Sequence, residues 1–188
     1  MEVKTEAKIL DATASYRSMW KAKQNNGVLW IDIEPEIDLK PDLIMDCSKT
    51  DFEDKRFHTI FFDPPHSYGH TKNTGVHQTP SRKVQKEKWG NTGAYYGFDQ
   101  YPTKRTLLAF INKSQIEFQR ILQDGGMLWV KWGELFTTWS AITPFFRDWV
   151  EVMKFEVIYQ GKRKGCRTWW IAMMKKTTQE ETKLRIKS

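Results

Sequence analysis

His58-Thr59-Ile60-Phe61-Phe62-Asp63-Pro64-Pro65-His66 is an apolar run that stops at an acid and then at two prolines. Each proline lacks an amide hydrogen, so the run cannot go on as a sheet ladder and the chain must turn outward. Three earlier runs end the same way: Lys8-Ile9-Leu10-Asp11, Gly27-Val28-Leu29-Trp30-Ile31-Asp32 and Asp42-Leu43-Ile44-Met45-Asp46. Short continuous apolar runs suit parallel strands covered on both faces, and such sheets bind ligands beyond the carboxyl ends of their strands. The four terminal acids, Asp11, Asp32, Asp46 and Asp63, are therefore expected along one edge.

Outward from these runs, residues 15–24 predict a short helix closed by Asn25-Asn26-Gly27, while two prolines disfavour a regular helix across 34–41. Residues 103–122 carry Leu107, Leu108, Ile111, Phe118, Ile121 and Leu122 near helical spacing, and Gly125-Gly126 ends that helix. Met127-Leu128-Trp129-Val130 reads as a fifth strand, and 138–150 as a second helix interrupted by Pro144. Phe155-Glu156-Val157-Ile158-Tyr159 reads as a sixth strand and Arg167-Thr168-Trp169-Trp170-Ile171-Ala172-Met173-Met174 as a seventh. Residues 160–166 between them are few enough for a hairpin, so the sheet should close on an antiparallel pair. The charged tail from Lys175 is expected to fray. The pattern is α/β: a seven-stranded, mostly parallel sheet with a terminal antiparallel hairpin.

At 188 residues the chain suits one domain, 1–188. Its 39% hydrophobic content and nine Trp exclude a disordered protein, which could not offset the entropy of ordering. The formal charge of +7 favours a polyanionic partner, nucleic acid first. No apolar run approaches the roughly 18 residues of a membrane span, and Met1-Glu2-Val3-Lys4 does not open a secretory signal, so the expected location is the cytoplasm, with no membrane partner. Cys47 and Cys166, far apart, signal neither a disulfide framework nor a zinc cluster, and His58, His70 and His77 lack ligand spacing, so no metal is expected.

The turn at Asp63 is where the chemistry concentrates. An outward turn can hold the Asp63 carboxylate and the Pro64 carbonyl side by side, two acceptors that suit an amino group with two hydrogens to donate. With these residues the sequence resembles the class I S-adenosylmethionine-dependent methyltransferases that modify exocyclic amines, whose signature is Asp/Asn/Ser-Pro-Pro followed by an aromatic. The resemblance implies a Rossmann-like methyltransferase fold and a catalytic set of Asp63, Pro64, Pro65 and His66. Asp63 and Pro64 would hold the target amine, with His66 stacking on an extruded base in place of Tyr, Phe or Trp.

The resemblance extends over residues 8–175. Ile9-Leu10-Asp11-Ala12-Thr13-Ala14-Ser15-Tyr16-Arg17 resembles the cofactor-binding first motif, with Ala14 and Ser15 where the family has glycines. It implies S-adenosylmethionine contacts at Asp11, Ala12, Thr13 and Ala14, ribose acceptance at Asp32 beside Ile33, adenine contact at Asp46 and Cys47, and cofactor proximity at Asp63. Ser-Tyr-Arg-Ser-Met-Trp at 15–20, Lys-Trp-Gly-Glu at 131–134 and the late Trp-Trp-Ile strand further resemble small phage-type DNA adenine-N6 or cytosine-N4 methyltransferases.

Residues 67–102 show no periodicity and read as a substrate-recognition loop insertion. Its Lys72, Arg82, Lys83, Lys86 and Lys88 mix with Tyr95 and Tyr96, the combination that tracks a phosphate backbone and stacks bases. Lys162, Arg163 and Lys164 on the terminal hairpin could grip phosphates as well. The expected reaction is methyl transfer to an exocyclic amine of a nucleic-acid base, adenine in DNA first. An RNA base, a protein side-chain amide, or a silent nucleic-acid-binding subunit of the same fold are the alternatives.

Overall fold

The computed structural model describes residues 6–34, 39–66, 68, 101–134, 137–157 and 167–176. Seven strands form one sheet: β1 (Ile9–Asp11), β2 (Val28–Asp32), β3 (Leu43–Ile44), β4 (Phe57–Phe62), β5 (Leu122–Gly133), β6 (Trp149–Glu156) and β7 (Thr168–Lys175). Their order is β3-β2-β1-β4-β5-β7-β6. The pairs from β3 to β5 are parallel, and β7 runs antiparallel to both β5 and β6. This is the mostly parallel sheet with a closing antiparallel pair that the apolar runs predict.

Strand register sorts the core onto one face. Leu29, Leu10, Ile60, Leu128 and Met173 stand in one row across five strands, and all are buried. Helix α1 (Lys104–Ile121) covers this face with Leu107, Ile111, Phe118 and Ile121, spaced so that they share one stripe. Thr103 caps the helix through a reciprocal bond with Thr106, and the Leu122 amide closes it on the Phe118 carbonyl. Phe62, the last residue of β4, packs edge-on against Phe118 at 4.9 Å and is fully buried. Burying such a ring stabilises the fold by about 1.5–3 kcal/mol, and here it also fixes where the following Asp63 emerges.

Arg120 near the end of α1 anchors the connection from β3 to β4. Its guanidinium donates to the Phe52 carbonyl at 2.6 Å, the Thr50 carbonyl at 3.1 Å and the carboxylates of Glu117 and Asp54 at 2.6 and 2.8 Å. A fork with five donors suits this cluster of acceptors, where an ammonium would serve fewer of them. β5 then passes so close to β4 that a Cβ at Gly126 would lie 2.8 Å from the His58 carbonyl oxygen, which is why a side chain is excluded there.

On the opposite face an aromatic row crosses the sheet. Trp20 meets Phe61 at 5.0 Å, Phe61 meets Trp129 and Trp170 at 6.3 and 6.1 Å, and Trp129 meets Phe155 at 6.3 Å. Phe155 is half-exposed, and Phe61, Trp129 and Trp170 are partly buried.

Five expectations change. Residues 15–24 form turns and bends rather than a helix, because Ser15 and Arg17 take left-handed backbone conformations (φ 42° and 52°) that a right-handed helix cannot contain. The expected helix over 138–150 is two short turns, α2 (Trp139–Ile142) and a 3-10 turn (Thr143–Phe146) with Pro144 as its second residue, after which β6 starts at Trp149. The sixth strand thus lies earlier than the expected 155–159: Val150 and Val152 favour extended backbone, and pairing with β7 overrides the helical reading. β5 likewise begins at Leu122, five residues earlier than the expected Met127. Lys175 closes β7 and Lys176 donates its amide to the Asp148 carbonyl at 3.0 Å, so the order extends to that point of the tail.

Candidate active site

The carboxyl ends of β1, β2 and β4 bring Asp11, Asp32 and Asp63 to one edge of the sheet, close enough that the charges of Asp32 and Asp63 both act on Asp11. The loop after β1 knits this edge together. The Ala12 amide donates to the Phe61 carbonyl at 2.9 Å and the Ala14 amide to the Ile31 carbonyl at 3.0 Å, so the loop rests on β4 and β2 at once. Thr13 Oγ1 accepts the Asp63 amide at 2.8 Å. The first loop and the Asp-Pro-Pro turn, 50 residues apart in sequence, are therefore held by a direct hydrogen bond.

Asp11 is fully buried. Its Oδ1 accepts the Thr13 amide at 3.2 Å and its Oδ2 the Trp20 indole N–H at 2.7 Å. Burial pushes its carboxyl up to about 7, against the lowering effect of those two bonds, and the negative neighbours Asp63 and Asp32 push the same way. Its place inside the loop makes it an organiser of the loop's shape.

Asp32 is partly exposed, and its oxygens accept the Ser15 amide at 2.8 Å and the Glu34 amide at 3.0 Å. Burial raises its carboxyl above the ordinary range while the backbone N–H bonds oppose the shift. A carboxylate offers about four lone-pair positions, so Asp32 keeps acceptor capacity for a further donor beside the Ser15, Glu34 and Ile33 amides. Ser15 reaches Asp32 by adopting the left-handed backbone that glycine would enter without strain, which explains how the loop does without the glycines. Arg17 locks it: the guanidinium lies 3.9 Å over the Trp30 ring and donates to the carbonyls of Lys23 and Lys40 at 2.5 and 2.7 Å.

Of the other expected cofactor contacts, Ile33 is exposed beside Asp32, and Asp46 is exposed with its Oδ1 accepting the Ser48 amide at 2.8 Å. Cys47 is buried in the core with its thiol 3.8 Å from the Ser114 hydroxyl, and burial drives its acidity far down. Tyr101, which the sequence grouped with the long loop, packs against Phe110 at 4.9 Å. Burial chiefly raises its phenol, with further raising from Cys47, Asp46 and Asp32.

Asp63 sits just past β4 with its side chain 20% exposed, and its Oδ2 accepts the Lys131 ammonium at 2.6 Å. Pro64 is buried, and Pro65 and His66 are partly so. The His66 ring lies against the end of β5, where a Cβ on Gly133 would stand 3.1–3.4 Å from three of its ring atoms. Gly133→Ala is therefore expected to push the imidazole aside, at a cost of about 1 kcal/mol in stability, with the His66 ring-proton shifts reporting the move. Unchanged shifts would mean that His66 does not depend on that gap.

Sequence reasoning quoted Lys131 and Trp20 only inside longer motifs and gave neither a role. Lys131 lies in an apolar strand far from Asp63 along the chain, and only the parallel pairing of β4 with β5 brings them side by side. The candidate nucleic-acid residues Lys72, Arg82, Lys83, Lys86, Lys88, Tyr95, Tyr96, Lys162, Arg163 and Lys164, with nearly all of the 67–102 insertion, lie outside the described residues.

The strand order, the single antiparallel strand inserted at β7 and the acids at the carboxyl edge define the α/β, Rossmann-like methyltransferase fold. Solved structures share it. The PH0226 protein from Pyrococcus horikoshii OT3 is similar over 92% of this chain and 84% of that one, with a TM-score of 0.55 and 13% identity. Geranyl diphosphate methyltransferase, solved in complex with GPP and sinefungin, is similar over 92% of this chain and 73% of that one, with a TM-score of 0.51 and 11% identity. No protein-family model matches the chain, and no curated protein matches it. Among the described residues no helix is long and apolar enough to cross a membrane.

Proposed function

We propose that this protein is an S-adenosylmethionine-dependent methyltransferase that acts on an exocyclic amine of a nucleic-acid base, adenine N6 in DNA foremost. The observation that carries the reading is the Asp63 turn, held by its own amide to Thr13 of the loop that leads from Asp11. Acceptors for an amine and the loop for a cofactor are thereby fixed to each other, and bringing two reactants into one geometry is the main source of acceleration in such a transfer.

S-adenosylmethionine fits the residues present. Asp32 can accept from the ribose, and the loop from Ala12 to Ser15 would face the methionine part. The sinefungin bound by the geranyl diphosphate methyltransferase, an analogue of S-adenosylmethionine, supports the same cofactor for this fold. The cofactor supplies a methyl group on a sulfonium. Asp63 and the Pro64 carbonyl accept the two amine hydrogens and so expose the nitrogen lone pair toward that methyl. With the cofactor bound, the nitrogen would take the methyl while the sulfur kept the electron pair of the broken C–S bond and became neutral, and the surplus nitrogen proton would leave through the Asp63 carboxylate to solvent. The net charge of +7 supports a polyanionic substrate, and the His66 imidazole offers a face on which a base could stack.

The test is to incubate the purified protein with methyl-labelled S-adenosylmethionine and unmodified DNA, RNA or protein, then digest and identify the labelled product. Label on N6 of deoxyadenosine is the expected result. Label confined to RNA or to a protein amide reassigns the acceptor, and no label on any polymer overturns the reading.

A further inference from the structure

Lys131 is the cation beside the proposed amine acceptor. It projects from β5 one register step beyond the Phe62–Val130 pair, so its ammonium and the Asp63 carboxylate emerge together at the carboxyl ends of adjacent parallel strands. Their 2.6 Å contact is only partly exposed, at 19% and 20%. Trp170 stands opposite Lys131 in the β5–β7 ladder. For an ion pair this enclosed the cost of desolvation offsets much of the attraction, so its position at the ligand edge points to a role in recognition.

Resting on the methyl-transfer reading, we propose that Lys131 and Asp63 act as a matched donor and acceptor that reads two neighbouring atoms of the substrate. Asp63 accepts from the amine that receives the methyl. Lys131 donates to the acceptor atom bonded to the same carbon as that amine: N1 of adenine, N3 of cytosine or the oxygen of a carboxamide. The physical basis is spacing and chemistry. Two groups in hydrogen-bond contact with each other match two substrate atoms that share one carbon, and an ammonium, with three N–H donors on a flexible stem, can keep Asp63 while it takes another acceptor. A site that hydrogen-bonds a substrate atom rejects analogues lacking it far better than shape alone can. Lys131 would thus select amidine-like and amide amines over simple aromatic or alkyl amines.

The experiment is a cycle that pairs Lys131→Met with DNA carrying 1-deazaadenine at the target position, so that the donor and its proposed acceptor are deleted singly and together. Wild type should lose about 10- to 100-fold in kcat/KM on 1-deazaadenine, Lys131→Met should lose a similar factor on adenine, and the variant on the analogue should be little worse than either. The intrinsic reactivity of the analogue cancels because both enzymes meet both substrates. Lys131→Arg, which keeps the charge, should recover part of the loss, and thermal melting of each variant excludes unfolding as the cause. Fully additive losses would overturn the role of Lys131 while leaving the methyltransferase reading intact. If the labelling experiment names cytosine, the same cycle runs with 3-deazacytosine, and if it names no acceptor, the reading and this inference fall together.

Discussion

Asp63→Ala is expected to lower methyl transfer by about 10²–10³-fold or more, the loss typical when a group aimed at the reacting atoms is removed. The carboxylate is the acceptor that fixes the amine, and methyl cannot replace it. Cofactor binding should survive, because Thr13 accepts from the Asp63 backbone amide, which the substitution keeps. Calorimetry with S-adenosylmethionine beside single-turnover transfer separates the two. Asp63→Asn supplies the graded control: its amide oxygen still accepts one hydrogen, but the ion pair with Lys131 is gone, so a loss of about 10-fold is expected. Parallel loss of cofactor binding and transfer in the alanine variant would instead make Asp63 a structural cap of β4. Equal activity of alanine and wild type would remove the turn from the reaction altogether.

The parts of the fold legible in the sequence are those where local pattern and tertiary role agree. β1, β2 and β4 are apolar runs ended by acids, and α1 carries a buried stripe at helical spacing, so each could be read without its neighbours. β6 could not. Val150, Val152, Met153 and Phe155 are half-exposed on an edge strand, and no core face imposes an alternation strong enough to distinguish them from a helix. The loop after β1 was illegible for a different reason. Its shape depends on Arg17 reaching the Lys40 carbonyl, 23 residues on, and on Trp20 reaching back to Asp11, and neither partnership leaves a mark in local composition. The same holds for the site: the Asp63 turn announces itself by its prolines, whereas Lys131 enters only through a partner 68 residues away.

Asp11 gives the second large effect, and its sign follows from burial. In the unfolded chain its carboxyl titrates in the ordinary range near 4, whereas in the folded protein burial holds it near 7. Below pH 4 both states are protonated and the group makes no difference. Between pH 4 and 7 the unfolded chain releases the proton while the folded protein keeps it, so this contribution to stability falls as pH rises, by about 4 kcal/mol at most once pH 7 is passed. Asp11→Asn removes the titration. Its single side-chain oxygen can satisfy only one of the Trp20 and Thr13 donors, which costs about 1–3 kcal/mol at every pH. The variant should therefore melt below wild type at pH 5 and draw level with it, or pass it, by pH 8. A melting difference that stays constant across that range would show that Asp11 titrates in the folded protein as it does in the unfolded chain. Function enters through the same group. A net-positive cofactor beside Asp11 and Asp32 favours their ionised forms, so under the proposed function S-adenosylmethionine should bind wild type more tightly at pH 8 than at pH 6, and Asp11→Asn should flatten much of that dependence.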